Sequence, residues 1–169
     1  MSFVAESGNG DTNSTSYVTV AYADSYHADQ NNTAWASATT ANKEFALMRA
    51  TAYIDSRWQG QWRGSRLLST QALQWPRDEA YDNDDFALTG IPSYLAKLTC
   101  EVALIQLTNP TVLNASVANG GGTKRVTVAG AVTEEYFQGY SSNTVYPVFG
   151  QLVAPLIRAG AGQLATSRG

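Results

Sequence analysis

The 169-residue chain has little of what most enzyme and metal sites require, with one cysteine, Cys100, and one histidine, His27. A zinc site needs several cysteine, histidine or carboxylate ligands, and acid–base catalysis needs convergent titratable groups. The acidic stretch 82–85 also lacks the glycine and the final glutamate of a calcium-binding loop. We therefore predict no catalytic residue, no metal site and no cofactor, and we expect that the protein is not an enzyme.

Charge is also scarce. Charged residues make up 15% of the chain, and 14 acidic residues outnumber 11 basic ones, which gives a net charge of −3. Proteins that bind duplex DNA usually carry a basic footprint, so any role with nucleic acid would have to be local. No apolar run reaches the length of a membrane span, and the first ten residues do not resemble a secretion signal. These absences predict a cytoplasmic protein with no membrane partner.

The pattern of apolar residues predicts a mainly α protein, a small bundle of three to four helices with an extended, β-like C-terminal arm. Residues 1–16 are small and polar and indicate a flexible N-terminal arm. Residues 17–115 form the helical body, with a short strand at 17–20 and strong helices at 39–58 and 90–110. The helix at 90–110 is apolar around much of its circumference, so we expect it to be buried centrally or shared with another subunit.

Residues 116–169 are predicted to form the extended arm and a C-terminal docking helix. Residues 125–137 alternate weakly and indicate an extended arm or a pair of strands. Residues 146–160 indicate a helix that Pro155 kinks or splits. One face of this helix is apolar and consists of Phe149, Leu152, Val153, Leu156 and Ile157. This face either docks in the groove of a partner or caps the helix's own bundle.

The connection at residues 59–90 begins with aromatic and basic residues and continues with an acidic run at 78–85. The residues of interest are Trp58, Trp62, Arg63, Arg66, Trp75 and Arg77. They are typical of a structural loop or subunit contact, with tryptophan anchors and arginine–carboxylate pairs. They are also typical of a surface for single-stranded nucleic acid, where bases stack on aromatic rings. The acids favour the structural interpretation, because they repel phosphate.

The order of several segments is similar to that of a known family. The segments are YVTVAYADSYHA, YIDSRW, TQALQWPR, IPSYLA, KRVTVAGAVTEEY and YPVFGQLVAPLI, and together they span about residues 17 to 158. This order resembles tailed-phage proteins that are often labelled DnaT-like single-stranded DNA-binding and are similar to head–tail connector, or head-completion adaptor, proteins. The resemblance implies a structural virion protein with a small helical body and extended C-terminal segments.

The resemblance also implies partners. Such adaptors form a ring, commonly of about twelve copies, that joins the portal to the next neck or tail component. DNA passes through the lumen without specific binding, and the protein moves from the host cytoplasm to the neck of the virion. On this basis we expect the apolar face at 149–157 to bind the portal and the acidic residues Asp82, Asp84 and Asp85 to face the channel. The alternative function is a single-stranded DNA-binding replication accessory protein, with Trp62, Arg63, Arg66 and Trp75 at its site.

Overall fold

A computed structural model describes residues 2–111, 113, 126–128, 132–134 and 146–158, with backbone alone for 126–128 and 132–134. The helices are α1 (Val20–Asp29), α2 (Thr33–Ala36), α3 (Thr40–Arg57), α4 (Ser93–Thr108) and α5 (Pro147–Val153), which continues into a 3₁₀ turn (Ala154–Leu156). Two antiparallel ladders pair β1 (Ser65–Arg66) with β2 (Arg77–Asp78) and β3 (Val126–Val128) with β4 (Val132–Glu134). The prediction of a mainly helical bundle is confirmed. In the part of the chain described, no helix combines the length and the apolar character that a membrane crossing requires.

Helices α3 and α4 pack against each other and form the centre of the core. Leu47 and Ile54 of α3 and Leu98 and Val102 of α4 are completely buried. The side chain of Thr39 caps α3 by accepting a hydrogen bond from the amide of Asn42. Because α1, α2, α3 and α5 all contact α4, its broad apolar surface is covered within a single chain. The helix is therefore buried centrally.

The chain before α3 differs from the prediction. No strand forms at 17–20, because Thr19 caps α1 by accepting a hydrogen bond from the amide of Tyr22, and the helix begins at Val20. Tyr17 and Val18 are nevertheless buried, at 2% and 5% exposure. The short helix α2, with a buried Trp35, was not predicted.

The N-terminal segment has a defined, hydrogen-bonded conformation, which the expectation of a flexible arm did not include. The buried carboxylate of Glu6 accepts backbone N–H groups from the four residues 8–11 at 2.9–3.2 Å. The backbone N–H of Glu6 donates to the carbonyl of Ser16. Small polar residues bond readily to nearby backbone, so the same composition suits a folded turn and a flexible arm.

The C-terminal helix completes its own bundle. Phe149, Val153 and Leu156 are buried, and Leu152 and Ile157 are half-buried. Helix α5 and the 3₁₀ turn both contact α4. Of the two alternatives for this apolar face, the structure shows the one in which the helix caps its own bundle. The division into α5 and a 3₁₀ turn follows from Pro155, as predicted.

Candidate nucleic-acid interface

The tryptophans of the connecting loop form an internal row. The ring of Trp62 lies between those of Trp58 and Trp75, at 6.2 Å from each centroid and edge-on to both. Trp62 is 1% exposed and Trp75 is fully buried. The row packs the loop onto the end of α3. Neither Trp62 nor Trp75 can stack on a base. The DNA site predicted from the sequence therefore named aromatic residues that are inaccessible to DNA.

The C-terminal segment holds the start of this loop in place. Trp62 and Ile157 form an antiparallel bridge. The backbone N–H of Arg63 donates to the carbonyl of Leu156 at 3.0 Å, and the backbone N–H of Arg158 donates to the carbonyl of Gln61 at 2.8 Å. Arg158, which the sequence did not single out, is thereby brought beside the arginines of the loop.

The arginines fix the loop through carbonyl oxygens and not through the carboxylates that the sequence suggested. Arg63 donates to the backbone carbonyls of Ile157 and Tyr81, each at 2.9 Å, and to the side-chain oxygen of Asn83. Arg77 donates to the carbonyls of three residues, which are Arg63, Gly64 and Gln74. A carbonyl partner does not neutralise a guanidinium, so the positive charge of these side chains is retained.

Arg63, Arg66, Arg77 and Arg158 together form what we call the arginine cluster. Arg66 lies directly opposite Arg77 in the β1–β2 ladder. Arg77 and Arg158 donate to the same oxygen, the carbonyl of Gly64, at 2.9 and 3.1 Å. Among the described residues, Lys43 and Asp24 form the one ion pair with a nitrogen–oxygen distance within 4.0 Å. No guanidinium of the cluster therefore has a described carboxylate at that distance. Burial and the charges of Arg158 and Arg66 lower the pKa of Arg77.

Gly64 supplies the carbonyl that two arginines of the cluster, Arg77 and Arg158, share. Its φ of +63° lies in the left-handed region, and a Cβ there would lie 2.1 Å from the carbonyl oxygen of Asp78. A side chain therefore cannot be accommodated without moving backbone. Because Gly64 has no Cβ, it can lie this close to the backbone of Asp78.

The acidic stretch forms a small hairpin beside the cluster. Its ends are joined by the amide of Leu88, which donates to the carbonyl of Ala80 at 2.7 Å, and the side chain of Asp82 accepts two amides of the turn at 2.9 Å. Asp84 and Asp85 are exposed. Two aromatic side chains are also exposed here, Tyr81 at 50% and Phe86 at 71%. Across the described residues, no group of three or more histidine, cysteine or acidic side chains is placed to hold a metal ion.

A second feature is a cavity of ≈260 Å³ lined mainly by Asp24, His27, Asn32, Trp35 and Lys43. Asp24 accepts from the indole of Trp35 and from the ammonium of Lys43, each at 2.8 Å, and Asn32 bonds to His27 at 3.0 Å. His27 is 1% exposed, and burial lowers its pKa. These side chains bond mainly to one another, so they stabilise the packing of α1, α2 and α3.

Cys100 is buried in α4. Burial raises the pKa of its thiol to about 12. The thiolate, which is the reactive form, is therefore not populated at neutral pH.

The comparisons with known proteins overturn the expected role in the virion. A family match covers residues 1–169, and its description concerns the binding of single-stranded DNA. No curated protein and no solved structure matches the chain significantly. The connector function is therefore wrong, as are its partners: the portal, a neck or tail component, a ring of sister copies, and DNA that passes without binding. The chain belongs to the family described as "Putative DnaT-like ssDNA binding protein".

Proposed function

We propose that this protein binds single-stranded DNA at the arginine cluster, in a role that involves no catalysis. The observation that carries the proposal is the convergence of positive charge at Gly64 without a carboxylate partner among the described residues. The net charge of −3 makes this local concentration of charge stand out. The family description supports single-stranded DNA as the source of the phosphates.

The like charges of Arg66 and Arg77 explain why an anion would bind here. Like charges directly opposite each other in a ladder destabilise it, and a phosphate between them would remove that repulsion. The fork of guanidinium N–H groups matches the oxygens of a phosphate. Arg66 and Arg158 are exposed, so they can reach a backbone that approaches from solvent, while Arg63 and Arg77 are held by the loop.

Base stacking would come from the hairpin beside the cluster. Tyr81 is half-exposed, and its backbone carbonyl accepts a hydrogen bond from Arg63, so this residue lies next to the cluster. An aromatic face stacks on any base, which suits binding with little preference for sequence. The exposed carboxylates of Asp84 and Asp85 repel phosphate from the same hairpin, so they partly offset the attraction of the arginines at low salt.

Fluorescence anisotropy with a labelled oligonucleotide tests the proposal. The strand should have about 20 nucleotides, which is longer than typical single-strand sites of about 4–16 nucleotides. The double variant Arg66→Ala/Arg158→Ala should bind at least about tenfold more weakly than the wild type, since two charge-assisted contacts are lost. Arg66 and Arg158 are better targets than Arg77, which holds three loop carbonyls.

The matched control is Arg49→Ala, which removes an exposed arginine on α3 outside the cluster. It should bind almost as tightly as the wild type, and a duplex of the same sequence should compete poorly. If the wild type shows no saturable binding at low salt, or if Arg49→Ala weakens binding as much as the double variant, the proposal fails.

A further inference from the structure

We propose that Asp55 is a positioning residue for the arginine cluster, holding the loop at 69–77 in the one arrangement that lets the cluster bind phosphate. The inference rests on the proposed function. Asp55 lies in the last turn of α3, outside the cluster, and would touch neither the bases nor the phosphates.

The carboxylate of Asp55 joins three separate parts of the chain. One oxygen accepts from the hydroxyl of Tyr17, in the segment before α1. The other oxygen accepts from the backbone N–H of Gln74, in the loop, at 3.1 Å. Tyr17 is 2% exposed, so this contact lies inside the protein, where a hydrogen bond to a charged group is strong. Helix α3, the N-terminal segment and the loop are thus tied together at one side chain.

The hydrogen-bonded chain continues from Asp55 into the cluster. Gln74, whose N–H binds Asp55, uses its carbonyl to accept from Arg77 at 3.1 Å. The same guanidinium then binds the carbonyl of Gly64, which Arg158 shares. Gln74 is therefore held between a carboxylate fixed on a helix and the central arginine of the cluster.

The loop needs this support because little regular structure fixes it. Between the end of α3 at Arg57 and the start of α4 at Ser93, the regular elements are the two-residue strands β1 and β2. The ladder that they form opposes two like charges, Arg66 and Arg77. A site held by hydrogen bonds from behind loses its geometry when those bonds are removed, even though its own residues are intact.

Three variants separate positioning from general stability. Asp55→Ala removes both hydrogen bonds. Asp55→Asn keeps an acceptor for the Gln74 amide, and its N–H₂ group can donate to the oxygen of Tyr17. Thr51→Val is the matched control, because the buried Thr51 on the same helix accepts the amide of Tyr17 at 3.2 Å but has no bond to the loop.

The first measurement is the affinity for the labelled single strand. Asp55→Ala should bind about tenfold more weakly, with a smaller salt dependence because fewer phosphates are contacted together. Asp55→Asn should restore most of the affinity, and Thr51→Val should bind like the wild type despite its lower stability. Equal losses in Asp55→Ala and Thr51→Val would overturn the positioning role while leaving the proposed function intact.

The second measurement needs no DNA. Amide hydrogen exchange should become faster at Gln74 and across residues 64–77 in Asp55→Ala, but not in Thr51→Val. Unchanged exchange at Gln74 would overturn the inference, whatever the DNA measurements show. A wild type that does not bind the strand would instead overturn the proposed function, and the part of this inference that concerns DNA would fall with it.

Discussion

Trp62 meets Trp75 edge to face, with their ring planes at 88° and both rings buried. The contact joins the beginning of the long loop to its middle, and Trp62 also contacts Trp58 at the C-terminal end of α3. The loop that carries Arg63, Arg66 and Arg77 is therefore organised by an aromatic core of its own. This arrangement separates two roles that the sequence had combined, because the tryptophans stabilise the loop while the arginines and Tyr81 are left for the ligand.

That separation predicts that one aromatic substitution lowers the stability of the protein and another lowers its affinity for DNA. Trp62→Ala should lower the free energy of unfolding by about 3–5 kcal/mol, because it leaves a large buried cavity. Tyr81→Ala should change the stability by less than about 0.5 kcal/mol, yet weaken binding of single-stranded DNA about fivefold or more through lost stacking. Urea denaturation and anisotropy measure the two quantities. A stable Trp62→Ala variant that cannot bind DNA would contradict the buried role of Trp62.

Gly64→Ala should be far more damaging than Gly60→Ala. Both glycines have positive φ, at +63° and +76°, so both substitutions cost about 1–3 kcal/mol of backbone strain. A Cβ at Gly60 meets nothing within 4 Å, whereas one at Gly64 lies 2.1 Å from the carbonyl oxygen of Asp78. We expect only Gly64→Ala to weaken DNA binding, because it displaces the carbonyl shared by Arg77 and Arg158. If Gly64→Ala and Gly60→Ala lowered the thermal stability and the DNA affinity equally, β1 and β2 would not approach as closely as the structure shows.

Asp55 should make stability depend on pH between about 4 and 6. Burial raises the pKa of its carboxyl group to about 6 from 3.8, against smaller lowering effects of Tyr17, Gln74 and Arg77. The folded protein therefore binds this proton more tightly than the unfolded chain, and the contribution of Asp55 to stability falls as the pH rises through this window. At about 1.4 kcal/mol per pH unit, the full change is about 3 kcal/mol.

Asp55→Asn isolates this contribution from that of the other acidic groups. The free energy of unfolding of the variant, relative to the wild type, should rise by about 3 kcal/mol between pH 4 and pH 7. Urea denaturation of both proteins across this range measures the difference. A difference that does not change with pH would mean that the carboxyl group titrates as it does in water.

Neutralising the hairpin should strengthen DNA binding. Asp84→Asn/Asp85→Asn removes two exposed negative charges beside the arginine cluster, while the side chain of Asp82 keeps its two amide contacts in the turn. The affinity should rise a few-fold at low salt, and the gain should disappear at high salt, where screening is strong. Asp29→Asn, an exposed position at the end of α1, is the control and should change little. A gain that survives high salt would indicate a conformational effect in place of an electrostatic one.

The two long helices could be predicted from the sequence because their apolar residues repeat with helical spacing. Leu47, Ala50 and Ile54 fall on one side of α3, and all are buried. Phe45 is also apolar, yet it is 59% exposed. Its angular position on the helix is nearly opposite Leu47, so the same periodicity places it in solvent.

The loop and its site could not be predicted in the same way. The bonds of Arg63 and Arg158 that build the cluster join residues 94 positions apart, and no local pattern encodes such a pairing. The acidic residues nearby in the sequence suggested carboxylate partners for the arginines. In the folded loop the arginines donate to backbone carbonyl oxygens instead. The burial of Trp62 depends on the return of the C-terminal segment to the loop, which periodicity does not reveal.

The most direct test of the arginine cluster is the salt dependence of single-strand binding for the wild type and for Arg66→Ala/Arg158→Ala. Each phosphate contact contributes about −0.7 to the slope of log K against log salt for single strands. We expect the slope of the double variant to be smaller by about 1.4, with weaker binding at every salt concentration. Identical slopes for the two proteins, at any affinity, would show that these guanidinium groups do not bind the phosphates and would contradict the proposed function.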